Sequence, residues 1–246
     1  MKLFKVLFNE NQNEIIPEEY LRASGESLFL MLLVGALSSI TFVPEVYLSN
    51  PILERMGYNN LCVGFDMAPS TYFSFPFGII TIYLVFQFNI YDRLRAKLSN
   101  RVVSNWKTNF AIFTNNTYII SASLFPLILL INPMVDIWVH SLLFLQMVFF
   151  RALVVLGNYF EHPSPNTRYT IYVYIYMLVS TILPIMAVVN YINYDNQIAL
   201  GAISVSPVIP AGIGQSIDLT WFLLIFLGNL IVQPGEKINV KYSVKS

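Results

Sequence analysis

Six stretches of this chain, residues 27–48, 70–91, 109–131, 136–158, 169–192 and 216–233, are each about as long as one bilayer crossing and almost free of charge. A helical span needs about 20 mostly apolar residues, and a helix satisfies its own backbone donors and acceptors inside hydrocarbon. Composition agrees, because 56% hydrophobic residues, 11% charged residues and a mean hydropathy of +0.60 leave too little polar surface to cover a soluble core. The expected fold is therefore all-α. It is a six-helix transmembrane bundle over residues 26–233, with an N-terminal segment, 1–25, and a C-terminal tail, 234–246.

Charge sets the expected orientation. Twelve of the 14 Lys and Arg residues fall on one side of this topology: Lys2, Lys5 and Arg22, then Arg93, Arg95, Lys97, Arg101 and Lys107, then Arg168, then Lys237, Lys241 and Lys245. Only Arg55 falls opposite, and Arg151 lies inside a span. The enrichment of Lys and Arg on cytoplasmic flanks places both termini in the cytoplasm. Residues 1–25 carry Glu10, Glu14, Glu18 and Glu19 instead of a short basic leader, so the first span reads as a retained anchor. A net charge of zero gives no basic field for nucleic acid.

Local features refine the bundle. Pro76, Pro126 and Pro184 each remove a backbone donor within a span and bend it, which leaves room for a cavity. Tyr172, Tyr174 and Tyr176 read as an aromatic belt at one interface. Cys62 is the only cysteine, which excludes an intrachain disulfide and fits a packing role. The first and last non-cytoplasmic loops, "SNPILERMGYNNLCVGFDMAPS" and "NYDNQIALGAISVSPVIPAGIGQS", are apolar for loops and suited to capping a cavity.

Familiar cofactor chemistry is missing from the sequence. There is no Gly-rich phosphate loop and no HExxH, and His140 and His162 are too few for a three-histidine metal site, so no cofactor or metal is expected. The informative residues are the ionisable ones within spans. His140 and Arg151 share a helix face about 16 Å apart along the axis and cannot touch. His140 falls near the non-cytoplasmic surface, at a depth like that of Asp218 in the parallel sixth helix, so the two form a candidate polar pair for proton transfer or for holding a headgroup. Glu45 and Asp66 come to the same side. The plainer reading has Asp136 satisfying His140 one turn away, and Ser216 capping the sixth helix with Asp218 in its first turn. On the inner side, Arg151 could join Asn115, Asn116, Asn158 and Asn229 to grip a lipid phosphate, or extend to the cytoplasmic headgroups. The sequon Asn115-Asn116-Thr117 falls on the cytoplasmic side, where it stays unmodified. Glu161 and His162, in "NYFEHPSPNTR", read as interfacial.

The order of features resembles the Frag1/DRAM/Sfk1 family, in its post-GPI-attachment factor 2 branch. The residues that carry the likeness are "FVPEVYLSN" after the first span, "DMAPSTYFSF" with Pro69 at the start of the second, His140 early in the fourth, and "DLTW" with Asp218 and Trp221 early in the sixth. Glu45 and Val46 stand where the family has a serine-containing turn, Ser70 where an arginine would follow Pro69, and Asp218 where glutamate is usual. The resemblance implies a protein of Golgi, endoplasmic-reticulum or lysosomal membranes that acts on lipids, including the lipid of GPI-anchored proteins. His140 and Asp218 would then face the headgroup, with Glu45, Asp66, Trp221, Arg151 and Asn115 as further lipid contacts. A rival expectation of another class is a structural accessory subunit of a larger membrane complex, for instance a respiratory assembly of the mitochondrial inner membrane.

Overall fold

A computed structural model describes residues 2–8, 14–98 and 105–239. Arg101, Lys241 and Lys245 of the charge argument, and Glu10 of the leader argument, lie outside these residues. The described chain is all-α apart from one two-residue strand pair, and six helices are long and apolar enough to cross a membrane. They are α2 (Pro17–Phe42), α4 (Ser70–Leu98), α5 (Asn105–Leu124), α6 (Ile137–Glu161), α7 (Thr167–Ala199) and α8 (Ala211–Ile231). Two short helices accompany them, α1 (Lys2–Phe8) and α3 (Pro51–Met56), and β1 (Glu14–Ile15) pairs antiparallel with β2 (Ile238–Asn239). Alternate crossings put the strand pair at one end of the bundle, here the terminal end. Residues 43–69, 130–136 and 200–210 gather at the other, the cap end.

Helix limits follow local chemistry. α2 starts at Pro17, ten residues before the apolar stretch begins, because Pro suits a first helical position and Glu18 and Glu19 favour the positive end of the helix dipole. Both acids are buried, so part of the polar segment 1–25 belongs to the bundle. Pro76 and Pro184 lie within continuous helices, whereas α5 stops at Leu124 and Pro126 begins a tighter 3-10 turn, Phe125–Leu129. Asp136 and Asn166 cap α6 and α7, accepting the Val139 and Tyr169 amides. α7, with 33 residues, is about 50 Å long by its rise and exceeds a hydrocarbon core of about 30 Å.

The tyrosine series of α7 departs from the belt expectation. Tyr172 and Tyr176 are fully buried and stacked on one another, while Tyr174 is exposed. Residues four apart share a helix face and the one between them turns away, so only Tyr174 reaches the outer surface. Tyr172 OH donates to Leu224 O of α8 at 3.1 Å, which ties these two helices together.

The first connecting segment is itself folded. It runs through a 3-10 turn, Pro44–Tyr47, then α3, which ends on Gly57 in the left-handed region (φ 74°), then a second 3-10 turn, Leu61–Phe65. Arg55 of α3 pairs with Asp195 of α7 at 3.0 Å and stacks over the Tyr194 ring, and Trp138 Nε1 donates to the same carboxylate at 2.8 Å. The part of α7 that outruns the bilayer thickness thus anchors the cap.

Candidate functional site

The cap delivers one carboxylate into the bundle. The turn Leu61–Phe65 lies against α2 where both segments are reduced to small residues. A Cβ on Gly64 would meet the Ala36 backbone at 2.7 Å, and one on Gly35 would meet Gly64 O at 3.1 Å. Ser39 Oγ lies 2.7 Å from Gly64 O and 2.8 Å from the Ser70 hydroxyl, and Thr71 Oγ1 donates to Phe65 O at 2.8 Å. Asn60 Oδ1 accepts the Cys62 amide at 3.0 Å, and the Leu61 amide donates to Asp218 Oδ2 of α8 at 3.1 Å. Asp66, the next residue after this pinned turn, is held against α6.

There it meets His140. Nε2 of His140 is 3.1 Å from Oδ1 of Asp66, and the two side chains are only 1% and 2% exposed. On its other side, Nδ1 of His140 is 2.7 Å from Ile131 O. A carbonyl only accepts, so Nδ1 carries a proton, while Nε2 faces Oδ1 within ion-pair distance but without hydrogen-bond alignment. Burial pushes the Asp66 carboxyl up from its ordinary range, while the facing imidazole pulls it down. Cys62 is buried nearby and its thiol is pushed well up, by desolvation first and by Asp66 and Asp218 next. It is a packed thiol, not a nucleophile.

Asp66 also lines a cavity of about 160 Å³. Glu45, Ser49, Asn50 and Asn132 supply the rest of its polar wall, and Val43, Val46, Met67, Pro133 and Met134 its apolar wall. Leu48, Met134 and Val135 are highly exposed around this end, a setting suited to lipid. Oδ2 of Asp66 has no hydrogen-bond partner.

The structure brings together His140, Asp66 and the cavity-lining Glu45, but it does not form the expected pair of His140 with Asp218. Asp218 is buried two turns inside α8 and accepts from Leu61. α8 begins at Ala211, five residues before Ser216, so Ser216 is no cap, and its Oγ donates to Gly212 O at 2.8 Å. Asp136 spends its carboxylate on the Val139 amide and leaves the His140 imidazole to Asp66. Trp221 is fully buried and edge-on to Phe144, so it packs the core and does not face lipid.

Arg151 and Asn115 sit in the other half of the bundle and do not join. Arg151 does not extend to the surface. It is 4% exposed, and it donates to Ser24 Oγ (3.1 Å), Tyr118 OH (2.6 Å) and Leu21 O (3.3 Å). Of the expected asparagines only Asn229 lies beside it, both crowding Gly25. Asn158 bonds back to Val154 O and Asn116 accepts from Arg93. Asn115 donates to Asp92 Oδ2 at 2.6 Å, within a buried network in which Arg95 pairs with both Asp92 and Glu18. The apolar stretch 70–91 gives no hint of this network, because Asp92 and Arg95 fall beyond it. Its signal was the continuation of the buried face of α4 through Phe88, Asn89, Asp92 and Arg95 at helical spacing.

No cluster of three His, Cys, Asp or Glu residues able to hold a metal occurs among the described residues. The fold and site define an all-α protein with six helices long and apolar enough to cross a membrane and a buried His–Asp pair beside a cavity at its cap end. Comparison with known families, characterised proteins and solved structures finds no match.

Proposed function

We propose that this protein binds a lipid headgroup in the cap-end cavity, on the non-cytoplasmic side of a secretory-pathway membrane, and takes part in remodelling that lipid. The resemblance to the post-GPI-attachment factor 2 branch makes the GPI anchor the leading substrate. The observation that carries this reading is a buried His140–Asp66 pair, at ion-pair distance, on the wall of a cavity whose surroundings are apolar. Burying a carboxylate costs several kcal/mol unless it is paired and hydrogen-bonded, yet neither Asp66 oxygen accepts a hydrogen bond and only Oδ1 has the His140 imidazole within ion-pair distance. Such an arrangement serves recognition, or acid/base assistance, better than it serves stability.

The test is cellular. His140→Ala, expressed and inserted normally, should leave surface GPI-anchored proteins with unremodelled acyl chains, read by mass spectrometry of the released anchors. Unchanged anchor composition would remove the GPI assignment. A stoichiometric protein assembly, copurifying without lipid, would instead favour the accessory-subunit role.

A further inference from the structure

Resting on the headgroup reading, we propose that the cavity selects a primary ammonium group, such as that of an ethanolamine headgroup. The charged groups of the polar wall are both carboxylates. Asp66 Oδ2 has no partner, Glu45 is exposed on the same wall, and Ser49 adds a hydroxyl, while no Lys or Arg lines the cavity. Of the two wall asparagines, Asn50 commits both ends of its amide and Asn132 only its oxygen. Asn50 caps α3 through Leu53 N at 2.8 Å and donates to Val46 O, and Asn132 accepts the Met134 amide at 2.8 Å.

Three ligand classes can be compared on this wall. A phosphate needs cationic donors, and this wall carries two carboxylates and no Lys or Arg. A quaternary ammonium is recognised by aromatic faces, and no aromatic residue lines the cavity. A primary ammonium has three N–H donors and a full positive charge, which match two carboxylates and a hydroxyl. His140 faces Oδ1 at 3.1 Å and leaves Oδ2 without a partner.

The full chain, purified in dodecyl maltoside, is titrated with short-chain phosphatidylethanolamine, with phosphatidylcholine of the same chains, and with free ethanolamine. Wild type should prefer phosphatidylethanolamine by about tenfold or more, the usual worth of a hydrogen bond to a charged group. Asp66→Asn should abolish that preference, and Glu45→Gln, at an exposed position that the fold does not need, should reduce it. If Asp66→Asn fails to fold, the Glu45→Gln result decides: an unchanged preference overturns the proposal. Equal binding of the two lipids overturns ammonium selection and leaves the lipid reading standing. Binding of free ethanolamine without phosphatidylethanolamine supports ammonium recognition and overturns the lipid source. No binding of either amine overturns the proposal.

Discussion

Asp66 follows a 3-10 turn packed on α2 and lies 3.1 Å from the His140 imidazole of α6, with both side chains buried. The sequence places Glu45, Asp66, His140 and Asp218 at one membrane surface, but it cannot say which carboxylate meets the imidazole. That choice depends on a 3-10 turn pinned on α2 through Gly35, Gly64 and Ser39, a tertiary contact with no periodic signature. The groups facing Asp66 are His140 from α6, Tyr47, Cys62 and Glu45 from the cap and Tyr191 from α7, and Asp218 of α8 shares Cys62 as a neighbour. Because burial raises the Asp66 carboxyl, acidification neutralises it at a higher pH than an ordinary carboxylate of pKa about 4. The ionised form is the one that attracts a cation, so phosphatidylethanolamine affinity should be full at neutral pH and fall on acidification, beginning above that ordinary range. A flat profile in Asp66→Asn and a sloping one in wild type would locate the titration, and a flat wild-type profile would contradict it. Arg151 belongs to the same scale. Its three neutral acceptors are buried with it, so Arg151→Ala should cost about 2–4 kcal/mol in denaturant unfolding, and a silent substitution would mean the site rehydrates freely.

Among elements, all six spans are legible because their length and apolarity report directly on the bilayer. Their ends are less so. α2 starts ten residues early because Glu18 and Glu19 find cationic partners in Arg95, Lys2 and Lys5, which hydropathy alone counts as unburiable charge. The segment 43–69 looks like a loop in composition, yet it folds as a cap held by Arg55 on α7 and by Gly64 on α2. Gly64→Ala should therefore cost about 1–3 kcal/mol by overpacking against a helix backbone that cannot yield. It should also abolish lipid binding by displacing Asp66. Gly212→Ala, where an added Cβ meets nothing within 4 Å, is the matched control and should leave the melting temperature and binding unchanged. Equal behaviour of the two variants would show that the cap is not pinned as described.

At the scale of the whole molecule, the two ends of the bundle divide the work. The terminal end holds a buried network of Glu18, Asp92, Arg95 and Asn115 joining α2, α4 and α5, and Glu26 accepts the Lys2 and Leu3 amides so that α1 docks on α2. Arg95→Met would leave two carboxylates buried without their cation and should cost about 3–5 kcal/mol, with the cap-end cavity still able to bind in the folded fraction. The orientation proposed from the positive-inside asymmetry has the terminal end in the cytoplasm. An impermeant maleimide should then reach Met134→Cys only from the non-cytoplasmic side and Lys237→Cys only from the cytoplasmic side, against a native Cys62 that is 2% exposed. Labelling of both from one side would refute the topology. The central claim, that the buried pair at the cap end exists to hold a lipid, is tested most directly by native mass spectrometry of the purified protein. Wild type should retain a bound lipid, and the Asp66→Asn, His140→Ala double variant should lose it while remaining folded. Retention of the same lipid at the same occupancy by both proteins would contradict the account.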